Sequence, residues 1–235
     1  MVTQEWVNLV STGNPEIDKK LDGGIPLGSL LLLEGEAGAG KSIFAQHFTH
    51  AALRSMLSVA HYATESTIKD LMSQMASLDL DVTDYFLCDR LRVYPIRPSD
   101  DADSGEALKS LLAHFESLPI DIRLIIVDAL TDLIAPSDER QTVDFFAACK
   151  KLCDLGRTII LVMQSDADSD AILERVLPIC NTHLVLRVEQ QDERPVRVME
   201  VAKLNNSAPA GGNVTHFNVE PGSGLKVVSP TGTRR

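Results

Sequence analysis

Leu30-Leu31-Leu32-Leu33-Glu34-Gly35-Glu36-Ala37-Gly38-Ala39-Gly40-Lys41-Ser42 is a run of four leucines that ends in an acid and opens into the pattern G-x-x-x-x-G-K-[ST]. An apolar run without alternation is the mark of a parallel strand buried on both faces. Downstream, Ser42–Ser55 carries Ile43, Phe44, Phe48, Ala51 and Ala52 at helical spacing, so the glycines stand between a strand and a helix. Glycines there let the backbone turn until several N–H groups converge on an anion, and the helix adds the positive end of its dipole. Lys41 then has the reach for the β- and γ-phosphates of a nucleotide, and the Ser42 hydroxyl is placed for Mg²⁺. The predicted nucleotide-binding set is therefore Gly35, Glu36, Ala37, Gly38, Ala39, Gly40, Lys41, Ser42 and Ile43.

Working outward, a chain of 235 residues with 44% hydrophobic and 23% charged residues has the composition of a soluble globular protein. No apolar run has the length of a membrane span and the opening MVTQEWVN has no signal-peptide pattern, so a cytoplasmic location is expected. The net charge of −11 argues against a broad nucleic-acid surface, which needs Lys and Arg to neutralise phosphates. Cys149 and Cys153 lie one helical turn apart and could be two metal ligands, but no partner pair stands at zinc spacing. Buried thiols are the expectation for these and for Cys88 and Cys180.

Before the central strand, Glu5–Val10 reads as an edge strand, Glu16–Leu21 as a short helix and Ile25–Ser29 as a tight turn. After it come a strand at Ser58–Thr64 and a helix at Ile68–Leu78 with Leu71, Met72, Met75 and Leu78 in one stripe. A short helix at Asp84–Cys88, a strand at Leu91–Ile96 and a helix at Gly105–Leu118 follow. The acidic segments Pro98–Ser104 and Asp166–Asp170 read as solvated, helix-capping loops. Leu124-Ile125-Ile126-Val127 ends in Asp128, a hydrophobic strand closed by an acid. Downstream of a phosphate loop this is a Walker B element, with Asp128 holding Mg²⁺ opposite Ser42.

Ala129–Ser137 reads as a loop, Glu139–Leu155 as a helix stopped by Gly156, and Thr158–Met163 as a strand. Gln164 at its end is a candidate γ-phosphate sensor. Past Pro178, strands at Thr182–Glu189, Val196–Leu204, Val214–Val219 and Leu225–Val228 are separated by turn residues, an antiparallel extension. Residues 1–228 are expected to form one domain, and 229–235 a disordered tail.

This order, a strand, phosphate loop and helix, then Walker B and a β-rich C-terminal part, resembles the RecA superfamily, a three-layer αβα fold with a mainly parallel sheet. Thr12–Asp18, Leu21–Ser29, Tyr62–Thr67, Val127–Thr131, Gly156–Ile160, Val198–Lys203 and Val219–Lys226 are similar to its KaiC-like branch, and within that branch to the accessory ATP-binding proteins of the archaellum, the archaeal flagellum. The resemblance implies ATP and Mg²⁺ as ligands and a homo-oligomeric ring, with a hexamer as the candidate size. It also implies a place at the inner face of the membrane held through partners: a separate motor ATPase and a polytopic platform protein.

Hydrolysis is where the chain departs from that branch. Two adjacent glutamates are usual after the second strand, and here Thr64 and Glu65 stand there, leaving Glu65 as the one candidate general base. A Lys-x-Arg that reaches a neighbouring subunit's nucleotide is replaced by Lys203-Leu204-Asn205, so Lys203 and Asn205 are the candidate trans contacts and Arg187 or Arg197 the alternative source of charge. Loss of an arginine finger predicts slow turnover. The expected function is regulatory ATP binding in the archaellum motor, with an active KaiC/RecA-type ATPase in signalling or DNA transactions as the alternative.

Overall fold

A computed structural model describes residues 8–96, 105–135, 137–165, 170–191, 194–205 and 214–228. Its first elements are β1 (Leu9–Val10), α1 (Pro15–Lys20), β2 (Ile25–Pro26), β3 (Leu30–Gly35), α2 (Lys41–Arg54), β4 (Ser58–Ala63) and α3 (Ile68–Ser77). Next come α4 (Thr83–Leu87), β5 (Leu91–Pro95), α5 (Glu106–Ser117), β6 (Ile122–Asp128), α6 (Thr131–Ile134), α7 (Glu139–Asp154) and β7 (Thr158–Gln164). The chain closes with α8 (Asp170–Val176), β8 (Thr182–Gln191), β9 (Arg194–Lys203), β10 (Val214–Glu220) and β11 (Gly224–Val228).

The leucine run is β3, the middle of a 9-stranded sheet ordered β11-β10-β9-β8-β3-β7-β6-β4-β5. Strands β8, β3, β7, β6, β4 and β5 run parallel, and β9, β10 and β11 continue the sheet antiparallel. Its leucines do not alternate with polar residues because both faces are covered. Leu31 and Leu33 pack with Phe44 and Phe48 of α2, whereas Leu30 and Leu32 pack with Phe145, Phe146 and Cys149 of α7. Helices α2 and α3 lie on the first face and α5 to α8 on the second, so the expected three-layer αβα build is observed. Strand order reverses at β3, with β4 and β5 on one side and β8 on the other, and the crevice at such a switch point is where α/β sheets bind ligands.

Local signals account for most helix ends. Asn14 caps α1 by accepting from Glu16 N–H and Ile17 N–H, and Asp138 with Gln141 forms a capping box on α7. Gly156, at φ +100°, ends α7, with Arg157 N–H donating back to the Leu152 carbonyl.

Three expectations need correction. The Ala129–Ser137 loop contains α6, which forms because Leu130 and Leu133 are buried against the sheet. Ile25-Pro26, read as a turn, pairs antiparallel with Leu9-Val10 in a separate 2-stranded sheet, so β1 is not an edge of the main sheet. Cys88 is exposed while Cys149, Cys153 and Cys180 are buried. Burial pushes the Cys153 and Cys180 thiols up to about 12, which makes them inert packing groups. The segments 98–104 and 166–169, residues 192–193 of the β8–β9 turn and the tail 229–235 lie outside the described residues.

Two buried histidines tie α2 into this frame. His47 Nδ1 donates to the Thr12 carbonyl at 3.2 Å, and its Nε2 accepts from Leu225 N–H at 3.1 Å. The Thr49 hydroxyl donates to the Ala45 carbonyl, so His61 Nδ1 must donate to Thr49 Oγ1, 2.9 Å away. Burial pulls both imidazoles down to about 4. A folded-state pKa below the unfolded value near 6.5 gives stability that is complete above about pH 6.5 and is lost as pH falls toward 4. Each histidine accounts for on the order of 2–3 kcal/mol over that window. The melting temperature should therefore fall steeply between pH 6.5 and 4.5, and His47→Gln, which keeps a donor and an acceptor, should flatten the fall; an unchanged pH profile in that variant contradicts the assignment.

Candidate functional site

The site is built where β3 turns into α2. Gly35 ends β3 with no space for a side chain: a Cβ there would stand 2.3 Å from the Leu186 carbonyl oxygen of β8. Gly40 is the N-cap of α2 at φ +99°, a left-handed conformation, and α2 carries no side-chain cap. The first-turn N–H groups of α2 are thus left for an anion. Ala39 is fully buried and its N–H donates to the Glu36 carbonyl, which fixes the loop from beneath. On its far side Gly40 meets the Phe217 ring of β10, which packs edge-on against Phe44 at 5.2 Å. The antiparallel extension therefore supports the loop directly.

Lys41 Nζ donates to the carbonyls of Gly35 and Glu36, each at 2.8 Å. Burial lowers its pKa, opposed by the Asp128, Glu65 and Glu36 carboxylates. The Ser42 hydroxyl donates to Asp128 Oδ1 at 3.1 Å, joining the two residues predicted to share a metal ion. Burial pushes the Asp128 carboxyl up to about 6, the Ser42 hydrogen bond holds it down, and Glu65 pushes it up further. It is still mainly ionised at neutral pH, and a divalent cation would favour that form.

These groups converge on a cavity of about 370 Å³. Its walls include Ala37, Gly38, Gly40 and Ile43 of the loop and helix, beside Lys41 and Ser42. Asp128 and Gln164 face them from the ends of β6 and β7, and Glu65 from just past β4. Gln164 is anchored through its backbone N–H, which donates to Thr131 Oγ1 at 2.8 Å, so the unexpected helix α6 sets its position. The donor set fits a nucleoside triphosphate with Mg²⁺: Ser42 and Asp128 would hold the metal, and Lys41 with the helix N–H groups would hold the phosphates. Bound there, the metal supplies charge neutralisation across the phosphates.

Thr64, in the place of the second glutamate, has a committed side chain. Its hydroxyl donates to the Ala129 carbonyl and accepts from Ala129 N–H, both at 3.0 Å. Glu65 is therefore the carboxylate left on that side of the cavity. The two candidate arginines separate: Arg187 pairs with Glu200 on β9, while Arg197 Nε donates to the Gly38 carbonyl at 3.0 Å and lines the cavity. Lys203 is not brought to this site. It pairs with His183 near the start of β8, where its Nζ donates to the carbonyls of Leu177 and Cys180, and Asn205 beyond it is exposed.

One contact had no signal in the sequence. Glu34, which ends the leucine run, is buried with its Oε1 3.2 Å from Nε2 of the buried His183 on β8. A buried carboxylate needs such a partner, and only the β3–β8 register reveals it.

Sheet order, phosphate loop and opposed Ser42–Asp128 pair define a P-loop nucleotide-binding protein of RecA-like build. The family profile described as "ATPase: KaiC" matches residues 10–232, and the chain belongs to that family. It is 29% identical over 224 residues to the archaeal flagellar ATP-binding protein FlaH of Sulfolobus acidocaldarius, covering 94% of this chain and 96% of that one. The circadian clock oscillator protein KaiC of Parasynechococcus marenigrum is 23% identical over 215 residues, which span 87% of this chain and 42% of the clock protein. The crystal structure of the flagellar accessory protein FlaH from Methanocaldococcus jannaschii superposes with a TM-score of 0.81 at 24% identity, over 94% of this chain and 99% of that one, and shares the fold.

Proposed function

We propose that this chain is an ATP-binding regulatory and assembly component of an archaellum motor, using Mg-ATP as a conformational ligand more than as fuel. Thr64 carries the reading: its hydroxyl is bound to the Ala129 backbone on both its donor and acceptor sides, so it cannot replace a second carboxylate. Glu65 is then the one candidate base and Gln164 the γ-phosphate sensor. Residues 1–228 act as a single domain in a homo-oligomeric ring, a hexamer as the candidate. Asn205 of each subunit faces the neighbour's nucleotide, standing where an arginine would speed phosphoryl transfer, and Lys203 joins it there only by leaving the Leu177 and Cys180 carbonyls. No helix among the described residues is long and apolar enough to cross a membrane. The ring works in the cytoplasm, held at the membrane through a platform protein and modulating a separate motor ATPase. The similarity to flagellar ATP-binding proteins across nearly the whole chain supports this placement.

Turnover measured beside equilibrium ATP binding tests the reading. Tight binding with turnover below about one per minute is expected, the range of P-loop proteins that lack an arginine finger. Glu65→Gln should lower that residual rate by less than about tenfold. Fast turnover that drops by about 100-fold or more in Glu65→Gln would establish general-base catalysis and refute it.

A further inference from the structure

Six large hydrophobic residues are exposed among the described residues, and five of them stand at one end of the sheet: Met56, Phe86, Leu87, Ile120 and Leu155. They occupy the segments that lead into β4, β5, β6 and β7, four neighbouring parallel strands, at the end opposite the phosphate loop. Isolated exposed apolar residues are ordinary, but a concentration on one end is not.

Arginines hold these segments rigidly. Arg90 donates to the carbonyls of Leu53 and Leu57, fixing the turn that carries Met56. Arg157 donates to the carbonyls of Leu118, Pro119 and Ile122, fixing the turn that carries Ile120. Arg123 Nε donates to the Gly156 carbonyl at 3.1 Å, joining that turn to the end of α7 where Leu155 stands. Ile120 is 91% exposed and Leu155 83%, although the backbone beneath each is pinned. Between them lies a groove of about 490 Å³, with Phe115 and Leu152 in its walls and Arg123 and Arg157 at its edge. Glu116 is the one acid in the lining. Burial and then the neighbouring Arg123 cation lower the Arg157 pKa, and Asp121 beside them raises it; in the lining itself the two arginines outnumber the single acid.

We infer that this groove is a docking site for an amphipathic helix of another protein, one that presents a strip of aliphatic side chains flanked by carboxylates. Aliphatic side chains fill the space between Ile120, Leu152 and Leu155, and carboxylates complement the two arginines of a lining that holds one acid. An anionic bilayer is disfavoured because a chain of net charge −11 is repelled from it at long range. A two-fold contact between copies is disfavoured because it would set the arginine edge against itself.

The probe is a fluorescein-labelled designed helical peptide with leucines at i, i+3, i+4 and i+7 and glutamates on both flanks, read by anisotropy on the full chain. Its lysine-flanked counterpart is the control. The glutamate peptide should bind in the micromolar range, and Leu155→Asp and Ile120→Asp should each weaken it by at least about tenfold without lowering the melting temperature, while Arg123→Glu, which also gives up the bond to the Gly156 carbonyl, should weaken it as much in a protein that stays folded. Equal binding of both peptides, or binding of the glutamate peptide that survives all three substitutions, overturns the inference. So does flotation with phosphatidylcholine–phosphatidylglycerol vesicles that Leu155→Asp abolishes, which would make the face a lipid surface. Self-association in sedimentation that Leu155→Asp abolishes would make it an interface between copies and overturns it too.

Discussion

Lys41→Ala is expected to weaken Mg-ATP binding by about 100-fold to 1,000-fold, the equivalent of two charge-assisted hydrogen bonds to phosphate oxygens. The magnitude follows from where Lys41 stands. Its ammonium lies in the cavity wall with its charge offset by Asp128, Glu65 and Glu36, all of them acceptors or repellers of the same ligand. Removing it takes away the cation that would hold the β- and γ-phosphates and leaves the Asp128 and Glu65 carboxylates in that wall. The fold should survive. The Gly35 carbonyl keeps its bond from Ser165 N–H and Glu36 is exposed to water, so stability should change by no more than about 1 kcal/mol. Equilibrium binding with a fluorescent ATP analogue, alongside a melting curve, separates these effects. Unchanged affinity in a folded Lys41→Ala protein would mean that this cavity is not the nucleotide site.

Gly35→Ala should damage both the fold and the site. Its Cβ would stand 2.3 Å from the Leu186 carbonyl oxygen and 2.9 Å from Leu186 Cβ, so β3 and β8 must move apart. Those strands are hydrogen-bonded neighbours at the centre of the sheet, which cannot yield as the end of a flexible side chain would. The cost is about 3 kcal/mol, the upper range for overpacking. In a chain of this size that corresponds to a melting temperature lower by about 6–12 °C. Binding should fall as well, because the Gly35 carbonyl accepts from both Lys41 Nζ and Ser165 N–H and so sets the loop's place against β7. Gly38→Ala is the comparison: its Cβ would meet nothing within 4 Å, and only the strain of φ +75° remains, about 1 kcal/mol. Equal melting temperatures for the two variants would show that the β3–β8 contact is not what requires glycine at position 35.

The phosphate loop, Walker B and the strand–helix alternation were legible in the sequence because each is local. Four leucines, a glycine pattern and an acid after an apolar run are short-range chemistry that the fold does not need to complete. The same locality explains the misreadings. Helix α6 is only four residues long and forms because Leu130 and Leu133 find a core, a tertiary event without a periodic signature. The Ile25-Pro26 pairing depends on Leu9-Val10 coming back to meet it. Cys88 looked like its three buried counterparts in composition, and only its position after α4 exposes it.

By itself, then, the sequence determined that a phosphate-binding loop stands between a doubly buried strand and a helix, with Asp128 opposite Ser42. Its resemblance to the KaiC-like branch implied that one of two usual carboxylates and one usual arginine are replaced. Tertiary structure decided how those replacements behave. Thr64 is locked to Ala129, Arg197 rather than Arg187 meets the loop, and Glu34 meets His183 on the next strand. Structure alone also gathered Met56, Leu87, Ile120 and Leu155 at one end. The physical reason is register. These contacts join residues from 65 to 159 positions apart or align turns from four strands, and their partners are fixed only when strand pairing sets which side chains stand opposite one another.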